Sequence, residues 1–289
     1  MTRSRDTLTW LEPGEDVGES GWFEPGGRFR IGNVEFQCAT SAHHSAPGHF
    51  SIRKNRVLVE EYLDVLDGFP EANVVELGIG DGGSVALAAL LTEPKRLVAI
   101  ELNPTRVDAL DELVGDLGLS EYIRLHYGVN QADRVRLGTI VEDEFAAEPL
   151  DLVIDDASHS LEETRSSFET LFPRLRPEGL LLIEDWNHQH LLSRGIAEAL
   201  ARPDRPGLAE FERRLGEGPP EAPLSRLVVE LILAQAESEE FLARVTVGPR
   251  WVGVRRGPGT LDHRGFRLSD LYTDHLGLLP GESAADLGG

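Results

Sequence analysis

The sequence predicts an α/β fold, with a doubly wound, mostly parallel sheet that ends in an antiparallel C-terminal hairpin. Three observations support this prediction. Short apolar runs rich in Val, Ile and Leu alternate with segments of helical period between residues 74 and 183. A glycine-rich turn follows the first run, and two β-rich runs flank Gly248-Pro249-Arg250 near the end of the chain. Alternating strands and helices are typical of parallel sheets, whereas a short Gly/Pro turn is typical of a hairpin.

Residues 1–48 are predicted to form an N-terminal arm, because they are rich in glycine and proline and show no helical period. Within the arm, short runs at 29–31 and 34–38 flank the dipeptide Gly32-Asn33. Both residues of that dipeptide tolerate the positive φ of a tight turn. The two runs are therefore predicted to be either a hairpin or an irregular loop.

Residues 49–256 are predicted to form one α/β domain. It begins with a helix over 53–66, where apolar residues recur at helical spacing. A helix over 104–117 is expected to carry Pro104 in its first turn, where proline is tolerated. The other predicted elements are strands over 74–77, 96–101, 122–127, 150–154 and 180–183, helices over 84–91, 134–141 and 161–175, and a hairpin of 241–247 with 251–255.

Two segments depart from this alternation. Residues 186–240 contain Pro/Gly breaks and are predicted to be a helical insertion that covers the site or pairs subunits, so a homo-oligomer is one expectation. The tail over 257–289 is rich in Gly, Asp and Leu, and no fold is assigned to it.

The composition excludes several classes of function. The 289 residues hold 28 basic and 50 acidic side chains, so the formal net charge of −22 disfavours nucleic acid as a partner. No run of eighteen apolar residues occurs, and the N-terminus lacks the apolar stretch of a secretory signal. A lone cysteine, Cys38, has no partner for an internal disulfide. We therefore expect a cytoplasmic enzyme that acts on a small molecule.

The glycine-rich turn predicts a nucleotide-type cofactor. Glu76-Leu77-Gly78-Ile79-Gly80-Asp81-Gly82-Gly83-Ser84 connects the first predicted strand to its helix, where glycines allow a ligand to approach the backbone and the helix offers free N–H groups. Glu101, at the end of the second strand, is placed to accept hydrogen bonds from two ribose hydroxyls. Adenosine binding follows, and an ordinary structural turn with a solvated Glu101 is the alternative.

These residues resemble the class I S-adenosylmethionine-dependent methyltransferases, whose Rossmann-like sheet ends in an antiparallel strand. The resemblance rests on the Glu-x-Gly-x-Gly loop, the acid at Glu101, the acidic end of the fourth strand and the terminal hairpin. It implies that Glu76, Gly78, Gly80, Gly83 and Ser84 belong to the S-adenosylmethionine site. It also implies that residues 128–133 run past the adenine, with Gln131 or Asp133 in contact.

Two acidic pairs predict a bound cation. Asp155-Asp156 ends the fourth predicted strand and Glu184-Asp185 ends the fifth. Ligands of open α/β sheets lie beyond the carboxyl ends of strands, and Mg²⁺ prefers oxygen ligands. Such an ion favours the alkoxide of a coordinated hydroxyl and orients it.

The same stretch resembles the Mg-dependent macrolide-sugar O-methyltransferases and the related cephalosporin-hydroxylase-like family. The resemblance is carried by Ile-Asp-Asp-Ala-Ser-His, Ser-Phe-x-x-Leu-Phe-Pro-x-Leu-x-Pro-x-Gly and Ile-Glu-Asp. It implies that Asp156, Glu184 and Asp185 hold Mg²⁺, that His159 is the catalytic base beside Asp156, and that Asp155 lies nearer the methionine end of the cofactor.

Structural alternatives remain open for several of these residues. Asp156 or Ser158 is also placed to cap the helix after His159, and His159 itself is also consistent with a surface position. His188 and His190 suit a loop histidine pair, extra metal ligands or substrate contacts. Arg53 and Lys54 stand at the N-terminal end of the first predicted helix, where either a carboxylate or solvent is a reasonable partner.

Three functions follow from the sequence. The first is an S-adenosylmethionine- and Mg²⁺-dependent O-methyltransferase that acts on a hydroxyl of a small natural product, such as a sugar, a polyol or a catechol-like compound. The second is an NAD-dependent oxidoreductase that uses the same glycine loop, since Gly78, Gly80 and Gly83 also fit the dinucleotide pattern. The third is a non-catalytic protein that binds S-adenosylmethionine.

Overall fold

The structure is a computed structural model, and it describes residues 7–11, 27–38, 44–191, 193–194, 222–275 and 277–279. By its internal contacts the chain divides into two units, Met1–Ala157 and Ser158–Gly289. No helix among the described residues is both long and apolar enough to cross a bilayer.

The first unit opens with a small four-stranded sheet. Its strands, in the order in which they pair, are β1 (Leu8–Trp10), β2 (Arg28–Ile31), β3 (Val34–Cys38) and β4 (His49–Ile52). β2 and β3 are antiparallel about Gly32, which has a φ of +59°, so the predicted hairpin is confirmed. The rings of Phe29 and Phe36 stack with centroids 4.7 Å apart, which gives this sheet a buried aromatic core.

The rest of the first unit is a parallel α/β repeat. β5 lies between β8 and β6, and β6 pairs with β7; each of these pairs is parallel. β5 is buried along its whole length, as expected of a central strand with helices on both faces. The elements are α1 (Arg56–Asp67), β5 (Asn73–Leu77), α2 (Gly83–Leu91), β6 (Arg96–Glu101), α3 (Asp108–Asp116), β7 (Ile123–Tyr127), α4 (Arg134–Phe145) and β8 (Leu150–Asp155).

The second unit contains a group of three antiparallel strands. Strand β11 pairs with β9 on one side and with β10 on the other, antiparallel to both. The predicted C-terminal hairpin is therefore confirmed. The elements of this unit are α5 (Leu161–Leu171), β9 (Leu175–Glu184), α6 (Ser225–Glu237), β10 (Leu242–Val247) and β11 (Trp251–Arg256).

Within the first unit the strands of the α/β repeat pair in the order β8-β5-β6-β7, and within the second unit β11 lies between β10 and β9. The strand order reverses at β5, which pairs both with β6 and with β8. This reversal is the point at which open α/β sheets bind their ligands, beyond the carboxyl ends of the strands. The predicted fold class is confirmed.

Some element boundaries differ from the prediction. Helix α3 begins at Asp108 rather than at Pro104, because the Asn103 side chain accepts the backbone N–H of Thr105 and holds this stretch in a turn. Strand β9 begins at Leu175 rather than at residue 180, and it includes Pro177 and Glu178 as exposed positions. A proline in an exposed stretch of strand resembles a break when only the sequence is considered.

Part of the predicted insertion over 186–240 is not covered by the structure. Residues 195–221 lie outside the described residues, and α6 forms the described C-terminal part of the insertion. Within the described part of the insertion, residues 188–191 and 193–194 are helical, and so is α6. Whether the insertion covers the site or pairs subunits stays a prediction.

Candidate functional site

The glycine loop leaves β5 and forms an open turn before α2. Gly78 has a φ of +97°, and a Cβ there would lie 2.2 Å from the carbonyl oxygen of Asp156, so no side chain fits. Gly80 has a φ of +53°, yet a Cβ there would meet no atom of the described residues within 4 Å. The loop is therefore packed against the end of β8 at Gly78 and open at Gly80, which gives a ligand access to the backbone.

Glu101 connects the end of β6 to this loop. Its Oε2 accepts the backbone N–H groups of Ile79 at 3.1 Å and Gly80 at 2.9 Å. Its Oε1 accepts the N–H of Asn103 at 2.8 Å. The acid predicted to bind ribose thus also holds the glycine loop in shape, a role that its position in the sequence did not predict.

Glu76 is buried inside the first unit. It is 1% exposed, and its Oε2 accepts the hydroxyl of Tyr62 at 3.1 Å. Burial raises the pKa of Glu76 to about 7, while the Ser84 hydroxyl and the Lys54 ammonium act to lower it. Glu76 and Ser84, which stand at the two ends of the glycine loop, are therefore joined by a side-chain hydrogen bond.

The predicted adenine segment and the end of β8 are also linked. The side-chain amide of Gln131 donates to both oxygens of Asp155, at 3.2 and 3.1 Å, and both residues are buried. Asp133 instead caps α4, since its carboxylate accepts the backbone N–H of Arg136 at 2.9 Å. Gln131 is thus brought to Asp155, and Asp133 is occupied in a helix cap.

Asp156 forms an ion pair with a buried lysine. The Nζ of Lys54 lies 2.8 Å from Oδ2 of Asp156, and the two side chains are 4% and 28% exposed. The same Nζ lies 5.4 Å from the centre of the Tyr62 ring. The sequence alone left the partner of Lys54 open. The one feature that sets Lys54 apart in the sequence is that it and Lys95 are the only lysines among 28 basic residues.

The second unit carries the other predicted site residues. His159 and Asp185 have φ values of +54° and +50°, a conformation that residues other than glycine adopt rarely and that often marks functional positions. The ring centroids of His159 and His188 lie 5.7 Å apart. Burial lowers the pKa of His188, and the neighbouring His159 lowers it further. Glu184 is the last residue of β9. His190 contacts the Ser225 hydroxyl at 2.7 Å.

Asp185, the residue after Glu184, is held in place by the turn between β10 and β11. Its backbone N–H donates to the carbonyl of Arg250 at 2.7 Å, and the Trp186 indole donates to the carbonyl of Gly248 at 3.0 Å. The backbone N–H of His188 in turn donates to the carbonyl of Asp185 at 2.8 Å. These bonds explain how the chain maintains the positive φ of Asp185.

Besides Glu184, three of the residues predicted at the metal site have the chemistry of metal ligands. Asp156, His159 and Asp185 are each half-buried, and each offers one oxygen or nitrogen atom that a divalent cation accepts. The glycine loop, Glu101 and Asp155 stand at the carboxyl ends of β5, β6 and β8 within the first unit.

Residues 75–186 match a protein family described as a methyltransferase domain. The matched stretch runs from β5 past the end of β9, so it includes the glycine loop, Glu101 and both acidic pairs.

Two relatives are O-methyltransferases by name. Demethylmacrocin O-methyltransferase of Streptomyces fradiae is 46% identical over 66 residues, which is 19% of this chain and 17% of the relative. The 8-demethyl-8-alpha-L-rhamnosyl tetracenomycin-C 2'-O-methyltransferase of Streptomyces olivaceus is 41% identical over 76 residues, 21% of this chain and 20% of the relative. The chain thus matches a fifth or less of the length of these two relatives.

A solved structure is also similar. The MycE methyltransferase from the mycinamycin biosynthetic pathway, in complex with Mg and SAH, is 23% identical with a TM-score of 0.45. That likeness covers 70% of this chain and 49% of the MycE chain.

Proposed function

We propose that the protein is an S-adenosylmethionine- and Mg²⁺-dependent O-methyltransferase that acts on a hydroxyl of a small natural product. A sugar is the favoured acceptor, with polyols and catechol-like compounds as the wider class. The methyltransferase-domain match supports the reaction type. The names of the two relatives support oxygen as the acceptor atom, and one of them names a rhamnosyl group.

The open glycine loop is the observation that carries the proposal. In the described part of the chain, nothing lies within 4 Å of the position that a Cβ on Gly80 would take, so the loop forms a cradle that a ligand can fill. Glu101 stands beside this cradle, bonded to the Gly80 N–H. We therefore propose that S-adenosylmethionine binds here, with Glu101 toward the ribose, Gln131 toward the adenine and Asp155 toward the methionine end.

The donor set fits a hard cation. We propose Asp156, Glu184 and Asp185 as its ligands, since Mg²⁺ prefers oxygen atoms and keeps positions for water or substrate. The ammonium of Lys54 forms an ion pair with the Asp156 carboxylate. This pair supports the proposal that the carboxylate is negatively charged and attracts cations. When bound, Mg²⁺ would supply Lewis-acid stabilisation of the acceptor oxygen.

His159 is proposed as the base. An imidazole is the side chain that most often accepts a proton in enzymes, and the ring of His188 lies beside that of His159. The chain's own contribution is then to align acceptor oxygen, methyl carbon and sulfur in one line and to take up the hydroxyl proton.

The test begins with binding and ends with transfer. By titration calorimetry, S-adenosylhomocysteine should bind and NAD should not; the reverse would support the oxidoreductase alternative. Purified protein should then methylate hydroxylated glycosides, lose this activity in EDTA and regain it with Mg²⁺. Full transfer in EDTA would contradict the metal part. Cofactor binding without transfer to any acceptor would support a non-catalytic binding protein.

The remaining expectations belong to the same proposal. A cytoplasmic location and a homo-oligomer are consistent with the sequence, and the net charge of −22 opposes a nucleic-acid substrate. Light scattering of the purified protein measures the oligomer directly.

A further inference from the structure

Lys54 is a buried charge whose place in the site is set by the backbone on both sides. β4 ends at Ile52, and Asn55 caps α1 by accepting the backbone N–H of Leu58 at 2.9 Å. The end of β4 packs on the glycine loop so closely that a Cβ on Gly83 would lie 2.2 Å from the carbonyl oxygen of Ser51. Lys54 therefore lies on a short connection fixed at each end.

Asp156 is held just as firmly. Its backbone N–H donates to the carbonyl of Leu77 at 3.0 Å, and its own carbonyl packs against Gly78. The carboxylate then receives Lys54 on Oδ2 at 2.8 Å. A lysine that is 4% exposed must be paired, because an isolated buried ammonium is costly.

We infer that Lys54 is a positioning residue that orients the Asp156 carboxylate for the cation; this rests on the proposed Mg²⁺ site. A carboxylate offers about four lone-pair positions, so a charge-assisted bond to Oδ2 and a bound metal are compatible on one group. Replacing a partner that orients a metal ligand typically changes metal affinity by about 10- to 100-fold. Lys54 also offsets the charge of the Asp156 carboxylate.

Other roles for Lys54 make different predictions. If its ammonium competed with the cation for Asp156, removing it would raise metal affinity. If Lys54 served folding alone, its loss would affect cofactor and metal binding alike. The direction of the change in metal affinity separates these roles.

The experiment compares the full-length wild type with Lys54→Met and Lys54→Arg. Calorimetry with Mg²⁺ and Mn²⁺ should show affinity lower by about 10- to 100-fold in Lys54→Met, with partial recovery in Lys54→Arg, which keeps the charge. S-adenosylhomocysteine affinity should change far less. The matched control is Lys95→Met, since Lys95 pairs with Glu148 at the surface, where the two side chains are 56% and 49% exposed.

A measurement on the wild type keeps the test independent of folding in the variants. With only two lysines, isotope-labelled lysine gives two side-chain NMR signals, and Mn²⁺ should broaden that of Lys54 and not that of Lys95. Unchanged or tighter metal binding in Lys54→Met, equal losses of metal and cofactor, or an unbroadened Lys54 signal would overturn the inference. Wild type that binds no metal would overturn the proposed site and this inference together, whereas unchanged binding in Lys54→Met would leave the proposed site standing.

Discussion

Glu101 accepts the backbone N–H of Gly80 at 2.9 Å. The acid at the end of β6 therefore shapes the glycine loop that follows β5. The same oxygen accepts the N–H of Ile79, and the other oxygen accepts that of Asn103. A single carboxylate thus orders two loops at the reversal of the strand order. Because hydrogen bonds to a charged acceptor are about twice as strong as neutral ones, this arrangement stabilises the open shape of the loop before any ligand arrives.

Replacing Glu101 should therefore weaken cofactor binding by two routes. Glu101→Ala removes the acceptor of these backbone N–H groups as well as the proposed ribose partner, and we expect S-adenosylhomocysteine affinity to fall by roughly tenfold or more. Titration calorimetry measures the loss. Glu112→Ala, at an exposed position of α3, is the control and should bind as the wild type does. Equal affinities for the two variants would show that Glu101 does not serve the cofactor.

The two glycines of the loop should respond differently to alanine. Gly78→Ala forces alanine into a positive φ and also places its Cβ against the carbonyl oxygen of Asp156. The left-handed conformation alone costs roughly 1–2 kcal/mol, so the clash should make the total loss of stability well above that amount. Gly80→Ala meets no described neighbour and should lose only about that smaller amount. It should nevertheless reduce cofactor binding, because its methyl enters the cradle. Urea denaturation and calorimetry give both quantities, and identical stability losses would contradict the packing at Gly78.

Glu76 should make stability depend on pH. Its pKa of about 7 in the folded chain lies above its ordinary value of 4.5, so the folded form holds its proton more tightly. The resulting stabilisation is fully present below pH 4.5 and is lost as pH rises toward about 7. The difference is roughly 3 kcal/mol, since a tenfold change in proton affinity corresponds to about 1.4 kcal/mol.

Glu76→Gln should remove this pH dependence, because glutamine has a similar shape and does not titrate. The free energy of unfolding is measured from roughly pH 4 to pH 8, the range that spans both pKa values, for wild type, Glu76→Gln and a surface control. The control is Glu121→Gln, since the Glu121 side chain is 83% exposed. A wild type and a Glu76→Gln variant that follow parallel curves would rule out titration of Glu76 in this range.

His159 should be required for transfer and not for cofactor binding. As the proposed base, its replacement in His159→Ala should lower the transfer rate by about 10²- to 10⁴-fold while S-adenosylhomocysteine still binds. His275→Ala is the matched control, because the His275 side chain is 74% exposed. Comparable activity in both variants would assign the proton to another group.

Local signals in the sequence were sufficient for much of the fold. The dipeptide Gly32-Asn33 specifies the β2–β3 turn, and the apolar run before Asp155 specifies β8. The predicted start of α3 was wrong, because the side-chain bond of Asn103 to the Thr105 N–H overrides the helix preference of the residues after Pro104. Such local side-chain bonds compete with helix formation in a way that the apolar period does not report.

Contacts between distant residues were the part that could not be predicted. Two side-chain hydrogen bonds form only when separate elements pack together: that of Tyr62 with Glu76 and that of Gln131 with Asp155. The apolar periodicity of each segment does not specify which residues will come into contact. Their roles at the site stay predictions until binding is measured.

The ion pair between Lys54 and Asp156 has a consequence for how the chain folds. The two residues are 102 positions apart, so a ribosome must release β5 through β8 before the pair can close. Contacts of such long sequence separation slow folding, because the loop must be ordered before the contact stabilises it. Fragments that stop before residue 156 retain Lys54 without this partner, and we expect them to be short-lived during synthesis.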